Sequence, residues 1–188
     1  MYRMTHFLAR WAASALVVAA SLALTLLGRS NPPAKANLTL RDMHGKTVRL
    51  QELQGRIVVL NFWATWCGPC IEELPLLVKT AREYAGRDVL FVGASLDAAK
   101  ALNNTLPAFI EEHGITFPIW TGASADDLDR LKLGPGVPAT AFIDRDGQIV
   151  ARVSGQIRPT ELTQRLDWLL SGRKDPAPAA FVNHLESH

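Results

Sequence analysis

The run Ile57-Val58-Val59-Leu60-Asn61-Phe62-Trp63 is apolar and β-branched and reads as a buried strand. Just downstream, Ile71, Leu74, Leu77, Val78, Ala81 and Ala85 recur at helical spacing. Between the two lies Trp66-Cys67-Gly68-Pro69-Cys70, which holds the only two cysteines of the chain. This succession constrains the fold more than any other feature, because both thiols must sit where a strand turns into a helix. Cys67 then falls at a helix N-terminus, where free N–H groups and the helix dipole stabilise a thiolate. Cys70 lies about one turn further in and is expected to be the more buried. Gly68 lets another backbone come close, and Pro69 suits a first helical turn, where its missing N–H has no partner to lose.

Two thiols separated by two residues can close a small disulfide ring that another thiol can open. A structural zinc site would need four ligands, and the nearest histidines in sequence, His44 and His113, are distant. A purely structural disulfide across so short a loop would add little through chain entropy. Redox chemistry is therefore the expectation, with Cys67 as nucleophile and Cys70 as resolving thiol. A module binding Cu(I) through the same thiolates is the alternative, although only three methionines are present to support it.

The remaining chain alternates strands and helices. Residues 38–41 and 47–50 read as a hairpin, with Met43-His44-Gly45-Lys46 as its turn. Residues 89–94 and 117–120 read as strands, 98–113 and 126–131 as helices, the former interrupted by Pro107. Residues 139–143 and 148–153 flank an Asp146-Gly147 turn. A last helix covers residues 159–170, with Gly172 as its stop. This order predicts an α/β fold with a mixed central sheet flanked by helices, an N-terminal β-hairpin and a central αβ insertion.

The formal charge of +2 comes from the N-terminus, where residues 1–36 hold Arg3, Arg10, Arg29 and Lys35 and no acid. The rest carries 16 basic and 18 acidic side chains, which argues against nucleic acid as a partner. Two arginines precede residues 11–27, a stretch of seventeen without a charge, about 25 Å long as a helix. It reads either as an uncleaved anchor with a cytoplasmic N-terminus or as a signal peptide cut after Ala34-Lys35-Ala36. The expected organisation is a cytoplasmic segment (1–10), an anchor (11–28), a tether (29–37), one folded domain (38–171) and a flexible tail (172–188).

The segment Asn61 to Cys70 (NFWATWCGPC) resembles the active-site segment of the thioredoxin superfamily, and the chain as a whole resembles its membrane-anchored, extracytoplasmic TlpA/ResA-like branch. That resemblance implies a thioredoxin-like fold over residues 38–171 and a protein-disulfide reductase with no cofactor and no metal. It also implies protein disulfides as substrates, such as those of apocytochrome c or copper-site proteins, and a membrane-embedded thiol reductant as electron donor. The catalytic domain would lie in the periplasm or extracytoplasmic space. Thioredoxin places a buried Asp where this chain has Asn61, and the branch supplies a Glu three residues after the second cysteine. Here that residue is Glu73, which spacing alone would make a solvated neighbour of Glu72; in an apolar cleft its pKa would rise towards that of a useful base. For Val137-Pro138 sequence alone favours a trans bond. The resemblance implies a cis bond packed against the cysteines, with the Val137 backbone free to pair with substrate. Trp66 is a further candidate substrate contact, although Trp63 and Trp66 each read singly as ordinary core aromatics.

Overall fold

The computed structural model describes residues 35–101, 103, 105–174 and 176–185. The expected cytoplasmic segment and anchor, and residues 29–34 of the tether, lie outside the described residues. Among the described residues, no helix is long and apolar enough to cross a membrane.

The strand predicted from the apolar run is β3 (Ile57–Trp63), and all seven of its residues are buried. It lies inside an eight-stranded mixed sheet of order β2-β1-β5-β4-β3-β6-β7-β8. The other strands are β1 (Thr39–Asp42), β2 (Thr47–Arg49), β4 (Val89–Ser95), β5 (Ile119–Thr121), β6 (Ala139–Ile143), β7 (Ile149–Ser154) and β8 (Phe181–Asn183). Pairing is parallel for β3 with β4, β4 with β5, and β7 with β8. The hairpin of β1 and β2 joins the sheet antiparallel to β5, and β6 runs antiparallel to both β3 and β7.

Side chains alternate faces along a strand, so β3 feeds two cores. Ile57, Val59 and Trp63 pack with α1 (Gly68–Glu83) through Leu74, Leu77 and Val78, and with α4 (Pro159–Leu170) through Leu162, Leu166 and Leu169. Val58, Leu60 and Phe62 pack on the other face with Leu128 and Leu131 of α3 (Ala125–Leu131). By the same alternation Asn61 points to the α1 side, placing a polar side chain in an otherwise apolar layer.

Four expectations need correction. The helix expected over 98–113 is shorter: a 3-10 turn at Ala99–Ala101 precedes α2 (Thr105–Glu112). Pro107 falls in the first turn of α2, where its missing N–H breaks no bond. The strand expected at 117–120 is β5, shifted towards Thr121 because its register follows Gly93–Ser95 of β4. Residues 35–37 of the tether pack onto the domain: Ala36 is buried, its N–H donates to the Gly147 carbonyl at 2.8 Å, and Asn37 accepts from Gln51. The tail expected to be flexible from 172 onward contributes β8, so that β7, α4 and β8 form a βαβ unit at the sheet edge. Arg165 on α4 is buried, and its Nη2 donates to the Ala179 carbonyl at 2.7 Å, fixing the return of the chain.

Candidate active site

Cys67 caps the N-terminus of α1, and Cys70 lies one turn inside it. The two are joined by a disulfide. The Cys70 N–H points at Cys67 Sγ at 3.3 Å, so a thiolate at Cys67 would meet a helix-terminal donor as well as the dipole. Cys70 is fully buried, while Cys67 keeps 6% of its surface. The order of exposure is the expected one, but Cys67 is far more covered than an open thiol. Its cover comes from the loop before β6, where the Val137 carbonyl lies 3.6 Å from Cys67 Sγ. In the dithiol, an S–H at that position could donate to this carbonyl. The Val137–Pro138 bond is cis, as the resemblance implies. Among the described residues the Val137 N–H has no hydrogen-bond partner, which leaves it open to an incoming backbone.

Glu73 is 2% exposed, so it is not the solvated neighbour of Glu72 that spacing alone suggests. Its carboxyl is pushed up from an ordinary 4.5 to about 7, because burial strips water from the charged form. Two donors pull the other way: the Ile157 N–H to Oε2 at 2.9 Å and Asn61 Nδ2 to Oε1 at 2.7 Å. Asn61 also donates to Thr140 Oγ1 at 3.1 Å, its cross-strand partner on β6. The Asn61 Oδ1 is buried without a partner among the described residues. The result is one ionisable group, poised near neutrality, one helical turn beyond the buried Cys70.

Trp63 and Trp66 part company. Trp63 is fully buried and stacks on Phe109 with ring centroids 5.3 Å apart. Trp66 is 69% exposed, which overturns its reading as a core aromatic and leaves it an apolar surface directly beside Cys67. Beyond Pro69 a cleft of about 460 Å³ opens between the Val137-Pro138 loop and the chain from Gly155 to Pro159. Gly68 has open space where a Cβ would stand, consistent with access for another backbone.

Sequence reasoning missed four contributors. Asp97, buried just past β4, accepts from the Thr65 N–H at 3.1 Å, Thr65 Oγ1 at 2.6 Å and Ser95 Oγ at 2.8 Å, pinning the turn before the cysteines. An acid at the end of an apolar strand was the available signal. Ile157 acts through its backbone and leaves no trace in residue type. His184 and Leu185 reach the cleft only because β8 forms. Among the described residues no three His, Cys, Asp or Glu side chains cluster as a metal site.

The arrangement suits reversible exchange between a dithiol and a disulfide, with a base at hand for the second thiol. The AhpC/TSA family matches residues 32–152. The chain is 34% identical over 131 residues to the thiol-disulfide oxidoreductase ResA of Oceanobacillus iheyensis, covering 70% of this chain and 66% of that protein. It is 29% identical over 137 residues to ResA of Bacillus subtilis, covering 72% and 74% respectively. The crystal structure of the pneumococcal exposed lipoprotein thioredoxin Etrx1 from Streptococcus pneumoniae is similar at a TM-score of 0.56 and 28% identity, over 71% of this chain and all of that one.

Proposed function

This chain belongs to the AhpC/TSA family of thioredoxin-like proteins and is a thiol–disulfide oxidoreductase acting through Cys67 and Cys70; from that premise we propose that it works as an exported, membrane-tethered reductant of protein disulfides. The observation that carries the reading is Glu73, a carboxyl held near neutrality beside the buried member of the dithiol. The Cys67 thiolate attacks one sulfur of a client disulfide, and the other client sulfur leaves and takes up a proton. Cys70 then attacks Cys67 Sγ, the second client thiolate leaves, and the Cys67–Cys70 disulfide forms. Two electrons pass to the client, and Glu73 accepts the proton that Cys70 gives up.

The reducing direction is supported by Gly68-Pro69 between the cysteines, which resembles reducing members of the superfamily. The clients would be CxxC pairs of apocytochrome c or of copper-site proteins, with a membrane-embedded thiol reductant regenerating the dithiol. Anchoring by residues 11–28 is supported by the leading arginines and by the packing of Ala36, which makes residues 35–36 part of the domain.

The test is threefold. A redox titration should place the couple nearer thioredoxin, at about −270 mV, than the oxidant DsbA, at about −120 mV. A Cys70→Ser variant should trap clients as mixed disulfides in cells, and the wild type should fractionate with membranes. A potential near the DsbA value, or a soluble product beginning at Asn37, would refute direction or anchoring respectively.

A further inference from the structure

We propose that the carboxy-terminal segment through Leu185 forms one wall of the client cleft and makes Leu185 a determinant of client choice, favouring disulfides flanked by aliphatic side chains. This rests on the reductase reading above. The segment is built into place. His184 N–H donates to the Ser154 carbonyl at 2.7 Å, and His184 Nε2 lies 2.9 Å from Glu161 Oε1. Gly155, at φ +87°, permits this approach: a Cβ there would stand 2.9 Å from His184 Cβ. Leu185 then falls opposite the loop that covers Cys67, its Cδ1 3.8 Å from where a Cβ on Gly136 would be.

The cleft is continuous with the disulfide through Pro69, Val137 and Pro138, and Ile157 also lines it. An extended client segment with its sulfur at Cys67 must send a neighbouring side chain past these residues. The lining is apolar at Val137, Pro138, Pro159 and Leu185 and polar at Gln156, Arg158 and His184, the last already paired with Glu161. On the Leu185 side of the cleft the occupant that fits is therefore an aliphatic side chain next to the half-cystine under attack.

The test uses the reduced full-length protein and two cyclic disulfide peptides, identical except for Leu or Ser on both sides of each cysteine. The wild type should show a higher kcat/KM for the Leu-flanked peptide. Leu185→Ser should lower the Leu/Ser ratio by about fivefold. That is less than the tenfold or more carried by a methylene in a closed pocket, because Leu185 is 36% exposed. Leu185→Met should keep the ratio. A wild-type ratio near one, a ratio unchanged in Leu185→Ser, or a ratio lost in Leu185→Met would each overturn the assignment while leaving the reductase reading intact. A wild type that reduces neither peptide would remove that reading, and this inference with it.

Discussion

Glu73→Gln isolates what one buried carboxyl does to stability. In the unfolded chain Glu73 titrates near its ordinary 4.5; in the fold it titrates at about 7 because burial disfavours the ion. Between these values the native state holds a proton that the unfolded state has lost, so stability falls as pH rises. The contribution is fully present below about pH 4.5 and gone above about pH 7. At about 1.4 kcal/mol per pH unit this amounts to about 3 kcal/mol. Glutamine does not titrate, and the site can accept it. Its oxygen can take the Ile157 N–H, and its NH₂ can face Asn61, whose unpartnered Oδ1 supplies the acceptor if the amide turns over. Urea unfolding of the oxidised wild type and variant, from pH 4.5 to 8, should show the wild type losing about 3 kcal/mol relative to Glu73→Gln. Taking the difference cancels the titration of every other group. A gap that stays constant within about 0.5 kcal/mol would refute the buried, proton-holding carboxyl. The rate of disulfide reduction should carry the same signature, rising through about pH 7 in the wild type as Glu73 becomes a base, with that inflection missing in the variant.

Alkylation of the reduced protein at neutral pH should modify Cys67 before Cys70, since only Cys67 sits at the helix terminus with any exposed surface; peptide mapping showing Cys70 first would reverse their roles. Asp97→Ala should destabilise the fold by about 1–3 kcal/mol, because it leaves the Thr65 N–H, Thr65 hydroxyl and Ser95 hydroxyl without their acceptor. A denaturation midpoint equal to the wild type would mean that the turn before the cysteines is held by other contacts.

What was legible in the sequence is what local pattern controls. The run in β3 is buried on both faces and therefore shows up as continuous hydrophobicity, and Asp146-Gly147 announces its hairpin. The cysteines declare themselves by count and spacing. What was not legible depends on long-range pairing. Phe181-Val182-Asn183 is a short segment beyond Pro176 and Pro178, and it becomes a strand because β7 offers an edge and Arg165 holds the approach. Glu73 and Glu72 are indistinguishable by type; only the packing of α1 against β3 buries the first and leaves the second exposed. Trp63 and Trp66 differ for the same reason. One ends the central strand, and the other stands in the loop that presents the cysteines.

Asn61 and Glu73 make sense only as a pair. The two side chains meet at 2.7 Å, so an aspartate at 61 would set two carboxylates against each other in a buried layer, where one would have to stay protonated. An amide at 61 instead donates to the single acid and holds it ionisable near neutrality. Moving the acid from the strand to α1 also changes what it is tied to. Its second donor, the Ile157 N–H, belongs to the chain that lines the cleft beyond Pro69. That hydrogen bond is one of the two that favour the charged form. Losing that hydrogen bond would raise the Glu73 pKa further and keep the carboxyl protonated over a wider pH range.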